Sequence, residues 1–208
     1  DDLGRGRGAA VLAMCLLTVP FWVAYSQAFS SLQLFFDRRT NRHAAAGFVV
    51  PSAWLQAVNP ILCIGLQPPL QRFWTWQARR GTEPSSAVKM ASGALLCAVA
   101  FALLAAGVSW CGADGGEPAP LLLPTAILLP LTLGELYLSP IGLSLISRCA
   151  SGSGTSTGLG LWFFSTGVGS LAAGAFGALY ATMAPSSFFW LSATLAAVSA
   201  ALLRWLTP

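Results

Sequence analysis

No charged residue occurs between Gly158 and Tyr180, and that run matches the roughly 20 mostly apolar residues a helix needs to cross the hydrocarbon core of a bilayer. Five more stretches share its character: Ala9–Leu32, Phe48–Leu70, Val88–Trp110, Leu121–Ile146 and Ser186–Leu206. Val88–Trp110 carries no charge after Lys89. A soluble helix must show water a polar face, and a chain of 208 residues cannot bury six helices that lack one. Composition agrees: 9% of residues are charged, against about 25% in a soluble domain, and the mean hydropathy is +0.68.

The expected fold is therefore all-α, a polytopic membrane protein of six transmembrane helices. Residues 1–8 form a short N-terminal segment on the cytoplasmic side and residues 9–206 the membrane domain. A transmembrane β-barrel would alternate apolar and polar positions over segments of about ten residues. Ala119–Leu133 shows no such alternation. The first stretch opens with Arg5 and Arg7 as a signal peptide would. Its long apolar run and its Trp22, Tyr25 and Gln27 favour a first span.

Positive charge sets orientation, because Lys and Arg accumulate in short cytoplasmic loops. With the N-terminus inside, the inner face holds Arg5, Arg7, Arg72, Arg79, Arg80, Lys89, Arg148 and Arg204. The outer face holds Arg38, Arg39 and Arg42. Both termini are thus placed in the cytoplasm of a multi-pass plasma-membrane protein. The net charge of +4 belongs to these loops and implies no nucleic-acid partner. Cys15, Cys63, Cys97, Cys111 and Cys149 lack metal-ligand spacing and read as small apolar residues. Gly152–Gly160 is rich in Gly and Ser but lacks the Lys of a phosphate-binding loop. It reads as a cytoplasmic loop or helix start. No cofactor or metal is expected.

Glu135 is the one acidic or basic residue well inside a span. An ionisable group there needs a cavity, a cation or a proton, and a carboxyl that changes state with access is what a proton-coupled carrier requires. A neutral Glu hydrogen-bonded between helices is the structural alternative. Ser139 lies one turn along the same face. Pro140 removes a backbone donor near Leu136, and Pro124 and Pro130 precede it, so this span is expected to be bent or broken. Asn59, beside Pro60 in the second span, offers a donor and an acceptor either to a ligand or to a neighbouring helix. Trp54, Trp74, Trp76, Trp110 and Trp205 suit interfacial anchoring. Trp162, among Gly158, Gly160 and Gly167, suits tight packing near a cavity wall.

These pieces together resemble the C-terminal half of a proton-dependent oligopeptide transporter of the major facilitator superfamily. The matching residues run in family order. Phe21-Trp22 and Gln27 lie in the first span, Gln56-x-x-Asn59-Pro60 in the second and Lys89-x-x-x-Gly93 at the start of the third. The most specific motif, Gly134-Glu135-x-x-x-Ser139-Pro140-x-Gly142-Leu143, lies in the fourth, and Gly160-x-Trp162 opens the fifth.

The resemblance implies a transporter rather than an enzyme, with di- and tripeptides and protons as the species carried. It implies that Glu135 couples protons by pairing with a lysine of the other half, near the peptide's amino end. Asn59, Ser139, Trp162, Trp22 and Gln27 are the implied substrate-binding residues. Many members carry an acid where this chain has Ser26, which puts coupling at that position in question. The partner lysine belongs to the N-terminal half, so six spans alone are an incomplete carrier. The chain is read as part of a longer protein, with that half supplied in cis. A separate partner chain or a homodimer are the alternatives. A non-transporting membrane subunit or inert remnant is the rival function, and one buried Glu without a catalytic companion gives little support to a membrane enzyme.

Overall fold

The computed structural model describes residues 2–44, 47–149 and 154–205. It is all-α, with eight helices among the described residues: α1 (Asp2–Tyr25), α2 (Ser31–Arg39), α3 (Ala53–Arg79), α4 (Ser86–Trp110), α5 (Leu122–Ala126), α6 (Leu128–Cys149), α7 (Gly154–Ala178) and α8 (Pro185–Trp205). Two pairs are broken spans. α1 passes through a tight 3-10 turn at Ser26–Phe29 into α2, and Gly8–Arg39 acts as one membrane-length element. α5 and α6 together cover the expected fourth span, interrupted at Ile127. Pro130 has no N–H to give the carbonyl of Ala126, which explains the interruption.

Among the described residues, five segments are long and apolar enough to cross a membrane: Gly8–Arg39, Ser86–Trp110, Leu122–Arg148, Gly154–Ala181 and Pro185–Trp205. α3 is the sixth expected helix. It starts and ends later than the Phe48–Leu70 stretch and is less apolar than the others. Gln56, Asn59, Gln67, Gln71 and Arg72 lie within it, together with Pro60, Pro68 and Pro69. Gly81, in the left-handed region at φ 66°, follows its C-cap Arg80, the usual place for a glycine that stops a helix.

The loops fall into two groups at opposite ends of the bundle. Thr40–Asn41 after α2 pairs in parallel with Ala119–Pro120 before α5. Near it Asp114 Oδ1 accepts the Ser186 N–H at 2.9 Å, a carboxylate at the N-terminus of α8 where the helix dipole favours one. A cleft at the other end is lined by Glu83, Lys89, Ser144 and Arg148. Arg38, Arg39 and Arg42 therefore lie at the end opposite Lys89 and Arg148, as alternating spans require.

The packed centre is α4 with α8 and α6, joined by α1. α4 meets α6 backbone to backbone at Gly93 and Gly134. A Cβ on Gly134 would sit 2.7 Å from the Gly93 carbonyl oxygen, and one on Gly93 2.6 Å from that of Gly134. Inside a bilayer helices gain little from the hydrophobic effect, so such close approach of small residues is a main source of association. Ser199 Oγ donates to the Leu17 carbonyl at 2.8 Å and ties α8 to α1. α3 is different. Only Leu55 and Leu70 are buried in it, while Ile61 and Ile64 are exposed.

Candidate functional site

Glu135 lies half-buried in the middle of α6, and three elements converge on it. Tyr25 is the last residue of α1 before the 3-10 turn, and its hydroxyl donates to Glu135 Oε2. Asn59, one turn before Cys63 on α3, points its Nδ2 at three acceptors. These are Tyr25 Oη at 3.0 Å, Thr132 Oγ1 at 3.2 Å and Glu135 Oε2 at 3.2 Å. Cys63 Sγ lies 3.7 Å from both Asn59 Oδ1 and Glu135 Oε2. Thr132 Oγ1 donates to the Leu128 carbonyl at 2.8 Å, which leaves its lone pairs to Asn59.

No cation pairs with Glu135 among the described residues; the ion pairs there are Asp37–Arg42 and Glu83–Lys89. The carboxyl is held by neutral donors from two other helices. Its second oxygen, Oε1, receives no hydrogen bond from the described residues and is not sealed from the surroundings. The arrangement can hold a proton, or meet a cation at one defined point.

The other expected residues divide. Asn59 stands with Glu135. Trp22 and Trp162 form a second cluster, ring centroids 6.1 Å apart and edge to face. It adjoins the polar cluster through Tyr25, whose ring is 6.0 Å from that of Trp22. Trp162 is 1% exposed, and its indole lies over Gly142, where a Cβ would overlap it. Trp22 Nε1 is buried without a hydrogen-bond partner among the described residues. Ser139 is half-buried one turn beyond Glu135, and its hydroxyl makes no hydrogen bond among the described residues.

Gln27 stands apart, 0% exposed. Its Nε2 donates to the carbonyls of Val23 at 3.1 Å and Ala173 at 3.0 Å, and its Oε1 accepts from Ser31 at 2.7 Å and Ser30 at 3.2 Å. In this conformation its polar groups are spent on joining α1 to α7 across the 3-10 turn.

Sequence reasoning missed three members of the cluster: Tyr25, Thr132 and Cys63. Tyr25 was visible as an aromatic beside Trp22, but nothing in the chain order reveals that it meets a residue on α6. Thr132 precedes Glu135 by three positions, the same helix face, and that spacing was an available signal. Cys63, grouped with the small apolar residues, follows Asn59 by one turn and shares its polar surroundings. Of the tryptophans read as anchors, Trp54, Trp76, Trp110 and Trp205 are exposed. Trp74 is half-buried instead, edge to face with Tyr137 at 5.3 Å and 4.9 Å beneath Lys89 Nζ.

An all-α bundle of membrane-length spans, with the half-buried carboxyl of Glu135 within one of them, defines a polytopic membrane protein of the kind that forms one half of a major facilitator fold. The whole chain superposes on 41% of a crystal structure described as a peptide transporter POT in complex with sulfate, with a TM-score of 0.89 and 24% identity. It also matches an auto-inhibited POT family peptide transporter, with a TM-score of 0.80, 25% identity, and coverage of 97% of this chain and 41% of that one.

The sequence profile of the POT family (PTR2) matches residues 6–191, and the chain belongs to that family. Among curated relatives, the peptide transporter YePEPT of Yersinia enterocolitica is 36% identical over 99% of this chain and 42% of its own length. A dipeptide and tripeptide permease B of Edwardsiella piscicida is 29% identical over 79% of this chain and 33% of its own. The uncharacterized transporter YclF of Bacillus subtilis is 29% identical, again over 79% of this chain and 32% of its own. The chain thus spans between about a third and two fifths of the curated relatives it matches.

Proposed function

We propose that this chain is the C-terminal half of a proton-coupled symporter for di- and tripeptides that works by alternating access. Membership of the POT family supports the class, and relatives named as dipeptide and tripeptide permeases support the substrate. The observation that carries the mechanism is Glu135, a membrane-embedded carboxyl held by neutral donors, with one oxygen open and no cation among the described residues. Its missing charge partner would come from an N-terminal half, in cis or in trans. A proton or a ligand on Glu135 would shift the balance between inward-open and outward-open arrangements, because each binds one arrangement better than the other. Asn59 and Ser139 would line the shared cavity, Trp22 and Trp162 would form its wall behind them in this conformation, and Gln27 would brace α1. The excess of positive charge on the end bearing Lys89 and Arg148 supports cytoplasmic termini, and a carrier of external peptides would sit in the plasma membrane.

The second reading is a non-transporting subunit or inert remnant. The bonds from Tyr25 and Asn59 favour it to the extent that they satisfy Glu135 Oε2 locally. Glu135→Gln separates the two readings. In a complete transporter carrying this half, the substitution is expected to abolish proton-driven accumulation of a labelled dipeptide in proteoliposomes, while leaving the protein folded. Accumulation against a gradient at the unsubstituted rate would remove Glu135 from the coupling mechanism.

A further inference from the structure

We propose that Tyr25 is the positioning residue of the Glu135 site: its hydroxyl, shared with Asn59, fixes Oε2 within the protein and so presents Oε1 to the ammonium group of a ligand. The inference rests on the symporter reading above. It starts from how little freedom Tyr25 has. The residue is 5% exposed, its ring stacks on Phe21 at 5.5 Å with 12° between planes, and Trp22 and Phe29 meet it edge to face at 6.0 and 5.7 Å. The Gln27 bonds hold the chain immediately after it. The hydroxyl is thus delivered to one point by packing that exists without Glu135.

The direction of the hydrogen bonds then does the positioning. Asn59 donates to the Tyr25 oxygen, and Tyr25 donates to the carboxyl. Donors in series polarise one another towards the acceptor. Asn59 and Cys63 add contacts to the same Oε2. Every recorded bond falls on one oxygen, so the carboxyl is fixed in rotation with Oε1 outward. An exposed, flexible Glu would have to lose that freedom on binding; here it is already lost, which is how preorganisation raises affinity. The cationic groups that could meet Oε1 are an ammonium on the ligand and a lysine of the other half. The same chemistry serves both, and the ligand's amine is the occupant that a transport assay can vary.

The test uses a complete transporter containing this half and compares Tyr25→Phe, which keeps the ring and its packing, with the parent. The ligands are a dipeptide with a free amino group and its N-acetyl counterpart. Expected is a rise of about tenfold in KM for the free-amine dipeptide, the size of one hydrogen bond to a charged group. The N-acetyl peptide's KM should be unchanged and kcat should vary little. An equal rise for both peptides would show that Tyr25 only shapes the pocket, and no rise for either would show that it does nothing at Glu135; each overturns the proposal. A lysine as the sole occupant of Oε1 would appear as a loss of kcat with KM unchanged, and that also overturns it. Infrared difference spectra provide a readout independent of transport. The carboxyl band that disappears in Glu135→Gln should shift in Tyr25→Phe, and an unmoved band counts against the proposal. If Glu135→Gln leaves proton-driven uptake intact, the coupling role given to Glu135 in the reading above fails; if it abolishes uptake while Tyr25→Phe is silent, only the present inference does.

Discussion

Trp162 and Trp205 are the same residue type on two helices, and their surroundings separate them. Trp162 is 1% exposed, packed over Gly142 and against Trp22; Trp205 is 83% exposed near the end of α8. Truncating the first leaves a cavity and strips contacts from Trp22, whereas truncating the second removes a side chain with few neighbours. Trp162→Ala is expected to destabilise the domain by on the order of 3 kcal/mol. Trp205→Ala should stay within about 0.5 kcal/mol. Thermal unfolding of both variants in the same detergent measures the difference, and equal shifts would return Trp162 to the anchor class. The sequence pointed to this contrast through the glycines around Trp162. The partner that makes it, Gly142 on α6, is twenty positions away and invisible to local pattern.

Where α4 crosses α6, two glycines set the distance between helices. Both are in motifs that the chain order shows, Lys89-x-x-x-Gly93 and Gly134-Glu135, yet neither motif states that the two glycines touch. A methyl on Gly134 meets backbone on α4, the Gly93 carbonyl, and cannot be accommodated by turning a side chain. Gly134→Ala should therefore force the helices apart at a cost of about 1–3 kcal/mol. It should also displace Glu135, the next residue, from Tyr25 and Asn59. Gly174→Ala is the control, because a Cβ there meets nothing within 4 Å. Thermal unfolding in detergent checks the pair; equal stability would mean that the crossing is looser than the structure shows. The broken fourth span was legible, because Pro124 and Pro130 act on their own backbone. The late start and end of α3 were not, since its polar and proline-rich stretch weakens the apolar signal on which the boundaries rested.

Taken as one body, the bundle is unevenly finished. About half of α4 and of α8 is buried, while α3 buries only Leu55 and Leu70 and shows Ile61, Ile64, Phe73 and Trp76 outward, and α7 shows Phe163, Phe164 and Leu171. Lipid satisfies apolar side chains of this kind, but lipid gives nothing to Glu135 Oε1. The chain reconstituted alone in proteoliposomes is expected to show no proton-driven dipeptide accumulation, and co-reconstitution with an N-terminal half from its own family should restore it. Accumulation by the chain alone would mean that six helices assemble a complete pathway. Failure of the pair, with folding verified, would favour the inert reading.

Fold class, the approximate positions of the spans and the presence of one carboxyl, Glu135, well inside a span were all readable from the chain alone, and for one reason. In a bilayer, each helix must be apolar along its own length and each charge must justify itself where it stands, so these properties are local to the chain. The pairing of Glu135 with Tyr25 across α1 and α6, the inward turn of Gln27, and the choice of one carboxyl oxygen over the other depend on which helices lie side by side and how each is rotated. Those are set by close contacts such as Gly93 against Gly134 and by hydrogen bonds between residues far apart in sequence. Helices that are apolar on nearly every face carry little sign of which face will meet which neighbour.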